Sequence, residues 1–62
     1  MYRLVIADDE ETIRNGMAHS LPWQELGFEV VALCENGQEV LDRLDEYRPD
    51  VVLSDIRMPV LD

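Results

Sequence analysis

A chain of 62 residues holds one domain at most, and at this length folding buries only about 60% of the unfolded surface. Fourteen acidic residues against five basic ones, all arginine, give a net charge of −9, which argues against direct nucleic-acid binding by this segment and suits a cation or a basic partner. One cysteine permits no internal disulfide, no apolar run is long enough to cross a membrane, and Asp8 and Asp9 interrupt the only early apolar stretch before it could resemble a signal peptide, so a cytoplasmic location is expected.

Residues 2–7 read as a strand buried on both faces, because the run Leu4-Val5-Ile6-Ala7 does not alternate. It leads straight into Asp8-Asp9-Glu10. Glu10 and Glu11 fall where a helix N-terminus favours negative charge, and Ile13, Met17 and Leu21 recur at helical spacing. Gly16 inside that helix is expected to let it pack closely on the sheet. Pro22 stops the helix and opens a short turn with Trp23, whose ring is expected beneath that turn; Gly27 marks the next turn. His19 reads as a surface residue of the helix flank.

Residues 28–34 read as a second strand, rich in valine and apolar except for Glu29. Its last residue, Cys34, is expected as a small buried hydrophobe. Asn36 then caps a helix, with Glu39 three residues on in a capping-box arrangement. Val40, Leu41, Leu44 and Tyr47 form one apolar face of that helix, and Arg48-Pro49-Asp50 ends it, because Pro49 cannot continue it. Residues 51–54 are a third strand, which runs into Asp55.

Strand, helix, strand, helix, strand implies a parallel sheet with right-handed crossovers. With the first strand between the other two, the order is 2-1-3 and the helices cover opposite faces. The carboxyl ends of the first and third strands then bring Asp8, Asp9 and Asp55 to the crevice where open parallel sheets bind ligands. Three carboxylates in one place raise each other's pKa unless a cation joins them. A hard-cation site with a reactive aspartate is therefore expected.

The same residues resemble the N-terminal half of a response-regulator receiver domain of two-component signalling. The resemblance rests on Asp8-Asp9-Glu10, on Ile13-Arg14, on Asn36-Gly37-Gln38-Glu39, and on the run from Pro49-Asp50 through Val51-Val52-Leu53-Ser54-Asp55 to Ile56-Arg57-Met58-Pro59. The segment Leu21-Pro22-Trp23 with Gly27-Phe28 is also similar to receivers of regulators that carry an AraC-type DNA-binding region. The resemblance implies a flavodoxin-like (CheY-like) partial α/β fold, βαβαβ, with residues 1–62 as a truncated receiver domain. It implies Asp55 as phosphoacceptor from a sensor histidine kinase, in a protein that controls transcription. Asp9, with Asp8 assisting, Asp55 and the backbone carbonyl of Arg57 would hold Mg²⁺ or Mn²⁺, a cation that takes oxygen ligands and often one or two carboxylates plus phosphate.

The family's active site also uses a hydroxyl residue ending a fourth strand and a lysine ending a fifth. The chain has no lysine, and three strands are expected, so it is read as a piece of a longer regulator without enzymatic activity of its own. The alternative is a self-associating half-domain, a homodimer or higher assembly, because the third strand would lie at an open edge. An aspartate-nucleophile phosphatase fits less well: its second aspartate, two residues after the nucleophile, is replaced by Arg57.

Overall fold

Hydrophobic patterning places the first strand at the centre of the chain's architecture, and the fold is built around it. The computed structural model describes residues 1–54; Asp55 and Arg57 lie outside the described residues. The elements are β1 (Tyr2–Ala7), α1 (Glu11–Ser20), β2 (Phe28–Cys34), α2 (Gly37–Asp42), α3 (Leu44–Tyr47) and β3 (Val51–Ser54). The three strands pair in parallel in the order β2-β1-β3, as expected. Leu4, Val5, Ile6 and Ala7 are all buried, and each fully buried side chain of the larger three contributes about 1.5–3 kcal/mol.

Alternation along β1 divides the core between two faces. Val5 and Ala7 pack with Cys34 and Val40, and Val31, Ala32 and Tyr47 flank that cluster. The helices α2 and α3 thus cover one face through Val40 and Tyr47. Leu4 and Ile6 alternate to the opposite face, and α1 packs against β1 and β2. Trp23 lies under the turn after α1, where its Nε1 donates to the Met17 carbonyl at 3.0 Å and its ring meets Phe28 edge-on at 6.0 Å. His19 is exposed, its Nδ1 2.7 Å from the Asn15 carbonyl oxygen.

Four expectations need correction. Gly16 is exposed, and a Cβ built there meets nothing within 4 Å, so it does not serve close packing. Leu21 lies past the end of α1 in extended backbone and is exposed, because Pro22 already limits its conformation. The helix expected through Tyr47 divides at Arg43 (φ −121°, ψ 21°), whose amide falls back on the Val40 carbonyl. Leu41 and Leu44 are exposed rather than sharing the inward face of Val40 and Tyr47. Among the described residues β2 is an edge strand, buried fully only at Cys34.

That edge strand carries an irregularity. Leu4 pairs with Val30 but Val5 pairs with Ala32, so Val31 is an extra residue. Such a bulge bends its strand and resets which side chains face inward. After it, Ala32 and Cys34 sit opposite Val5 and Ala7, on the face that α2 covers.

The chain reverses before β3 through Arg48, which holds the left-handed conformation (φ 45°, ψ 56°) and donates its amide to the Leu44 carbonyl at 2.8 Å. Asp50 then ties the entry of β3 to Arg3. All four residues of β3 are exposed, and among the described residues β3 pairs with β1 alone.

Candidate functional site

The carboxyl end of β1 carries the acid pair. Asp8 continues the strand and is only 1% exposed, while Asp9 is exposed. A buried carboxylate is costly unless its oxygens find donors. Asp8 meets this demand locally: its Oδ1 accepts the Glu10 amide at 2.9 Å. That bond also satisfies a backbone donor at the start of α1, where the helix dipole favours negative charge. Glu10 itself occupies the cap position of α1 but makes no side-chain cap bond.

Two further bonds hold the Asp8 main chain. Its amide donates to the Cys34 carbonyl at 3.0 Å, and its carbonyl accepts from Arg14 Nη1 at 2.7 Å. The Arg14 contact was not anticipated from the sequence, although a signal was there. Side chains on a helix lean toward its N-terminus, so an arginine in the second turn of α1 can reach back to the end of β1.

The start of α2 follows the end of β2, the strand whose Cys34 pairs with Ala7. Asn36 Oδ1 accepts the Glu39 amide at 2.9 Å, as expected for the cap. The reciprocal bond differs from a capping box: Glu39 Oε2 accepts the amide of Glu35, one residue before the cap, at 3.3 Å. Glu39 also acts on Cys34. Burial raises the Cys34 thiol pKa first, and the nearby Glu39 carboxylate raises it further through charge and a hydrogen bond. The thiol is therefore held protonated, a packing group rather than a nucleophile.

The last described pair of the β1–β3 ladder is Ala7 with Ser54. Of the site residues expected from the sequence, Asp8 and Asp9 stand together at the end of β1. Asp55 and the Arg57 carbonyl lie outside the described residues. Among the described residues, no three His, Cys, Asp or Glu side chains gather as a metal site. The donor set that is present, two adjacent carboxylates with no sulfur or imidazole, suits a hard cation such as Mg²⁺ or Mn²⁺. No helix among the described residues is long and apolar enough to cross a membrane.

Comparison with known proteins agrees with this arrangement. The family model of the response regulator receiver domain matches residues 4–62. The chain is similar to the uncharacterized transcriptional regulatory protein YesN of Bacillus subtilis, with 36% identity over 62 residues, 100% of this chain and 17% of that protein. It is also similar to the transcriptional regulatory protein HptR of Staphylococcus aureus, with 37% identity over 59 residues, 95% of this chain and 23% of that protein. Among solved structures, it resembles the REC domain of AraT, a response regulator from Geobacillus stearothermophilus. That likeness has a TM-score of 0.83 at 43% identity and covers 98% of this chain and 47% of the other. The chain thus spans a quarter or less of these curated relatives (17% and 23%) and about half of the solved domain (47%).

Proposed function

The chain belongs to the response regulator receiver domain family, and we propose from that premise that Asp55 is the residue that accepts a phosphoryl group from a sensor histidine kinase. The observation that carries this reading is the pairing of Ala7 with Ser54. In the sequence Asp8 follows Ala7 and Asp55 follows Ser54, and Asp8 is buried where β1 ends. An ionised carboxylate is a competent nucleophile toward phosphorus. One Asp55 oxygen would form the new P–O bond as the bond to the donor nitrogen breaks.

Asp9, Asp8, Asp55 and the Arg57 carbonyl would hold Mg²⁺ or Mn²⁺. When bound, that ion neutralises charge on the transferring phosphoryl oxygens. The chain's own residues then serve to position the reacting groups. Glu10 and Arg14 fix Asp8, and the β1–β3 ladder fixes the spacing of the two strand ends. Control of transcription is the setting that the similarity to YesN and HptR supports; an AraC-type DNA-binding region and a cytoplasmic location are proposed with it from the family resemblance. The segment itself carries a net charge of −9, which disfavours a direct contact with nucleic acid.

The test is phosphorylation by a small phosphodonor with Mg²⁺ in a longer protein that contains this segment, read by intact mass. One phosphoryl group should be gained, and Asp55→Ala should abolish the gain. Equal labelling of Asp55→Ala would overturn the assignment.

A second reading has its own support. Val51, Val52 and Leu53 are 42%, 40% and 37% exposed, and β3 offers an open edge among the described residues. An apolar open edge favours pairing with another chain, so self-association of the 62-residue chain is proposed as a property alongside phosphoacceptance.

A further inference from the structure

We infer that Arg14 is the positioning residue of the acid pair, an inference that rests on the metal-binding reading above. Three hydrogen bonds close a ring around the start of α1. The Glu10 amide donates to Asp8 Oδ1 at 2.9 Å, the Arg14 amide donates to the Glu10 carbonyl at 3.0 Å, and Arg14 Nη1 donates to the Asp8 carbonyl at 2.7 Å. Arg14 is half-buried, so the ring is partly shielded from water.

The last of these bonds sets the direction of Asp9. The Asp8 carbonyl oxygen lies in the plane of the Asp8–Asp9 peptide, which is rigid. Holding that oxygen fixes the plane, and with it the point from which the Asp9 side chain leaves the backbone. The Asp8 amide is already anchored to the Cys34 carbonyl at 3.0 Å. Asp8 is thus held at its amide, its carbonyl and its carboxylate, and Arg14 supplies the only one of these three bonds made by a side-chain donor.

Charge and position make opposite demands here, which makes the role measurable. A guanidinium near a cation site repels the cation, so removing the charge alone should tighten metal binding. Removing a group that orients a metal ligand instead weakens binding, about tenfold or more where such partners have been altered. Positioning prevails if the neutral variant binds more weakly despite the lost repulsion.

The experiment is a titration of the 62-residue chain with Mn²⁺ alone, followed by paramagnetic broadening of the Asp9 and Glu10 amide signals. Circular dichroism on the same samples monitors folding. Arg14→Met, which keeps the aliphatic stem, is expected to weaken Mn²⁺ binding about tenfold. Arg14→Lys, which keeps charge and a donor but not the planar fork, should fall between Arg14→Met and the wild type. Unchanged or tighter binding by a folded Arg14→Met overturns the inference. If that variant does not fold, wild-type affinity in Arg14→Lys overturns it instead. Asp9→Asn separates the two levels: broadening that survives this change sinks the metal reading itself, whereas loss in Asp9→Asn with no change in Arg14→Met sinks only the role of Arg14.

Discussion

Asp50 grips Arg3 through both main chain and side chain. The Asp50 amide donates to the Arg3 carbonyl at 2.8 Å, and the Arg3 amide donates to Asp50 Oδ2 at 2.8 Å. Arg3 Nε adds a bond to the Tyr47 carbonyl at 2.7 Å. These bonds bring the start of β3 beside β1 one residue before the first ladder pair, Leu4 with Val51. Asp50→Ala removes the side-chain bond and is expected to cost about 1 kcal/mol, the usual net worth of such a bond. Urea denaturation measures it; no change in the midpoint would show that the ladder alone sets the register.

Arg48 holds a left-handed conformation that costs a residue with a Cβ about 1–2 kcal/mol. Glycine adopts that conformation freely and often ends helices this way. Arg48→Gly is therefore expected to leave stability unchanged or raise it by up to about 1 kcal/mol, despite the greater freedom it gives the unfolded chain. A clear loss in the thermal midpoint would mean that the arginine side chain contributes more than its backbone costs.

Cys34 makes stability depend on alkaline pH. Its thiol pKa is raised above the ordinary value of 9.0, first by burial and then by Glu39. The unfolded chain therefore releases this proton at lower pH than the folded one. The contribution is fully present below the ordinary thiol value, declines as pH rises through it, and is gone once the folded thiol has titrated too. Denaturation curves from pH 7 upward should fall less steeply for Cys34→Ala than for the wild type. Glu39→Gln should also reduce the slope, since it removes the second cause of the shift. Parallel curves for all three would refute this account.

Metal binding should depend on Asp9 more than on any other exposed carboxylate. Mg²⁺ titration followed by Trp23 fluorescence or amide shifts is expected to give weak saturable binding that Asp9→Ala removes. Glu25→Ala, a change on the turn between α1 and β2, should leave it intact. If both variants respond alike, the chain only collects cations through its overall negative charge.

Self-association should respond to Val52. It pairs with Val5 in the ladder and lies on the face that α2 covers, yet it is 40% exposed. A lysine placed in a buried contact must lose water or find a partner. Sedimentation equilibrium is expected to show a dimer or larger species for the wild type at micromolar concentration, and a shift toward monomer for Val52→Lys. A folded wild-type monomer contradicts the expectation.

The strand order and the helix starts were legible because they depend on local patterns: an unbroken apolar run for β1, Asn36 as a cap, and Pro22 and Pro49 as stops. The acid pair was legible because Asp8 and Asp9 directly follow a buried strand. Other features depend on distant partners and leave little trace in the chain. The Asp50–Arg3 clamp joins residues far apart in sequence. The break at Arg43 has no glycine or proline to announce it. The extra residue in β2 is a valine inside a valine-rich run, so the pattern of side chains is the same with or without it. Gly16 shows the converse limit, since a glycine inside a helix suggests close packing and here faces open space.

That extra valine makes the two borders of the sheet unequal. The border at β2 is bent at Val31 and carries the exposed Glu29, two devices that discourage a further strand from docking. Among the described residues, the border at β3 is Val51–Ser54, which carries no charge. Among the described residues, each join through β3 would consume the one uncharged border of both participants, which would oppose extension as a ribbon. Association by strand addition through the described residues would then stop at two.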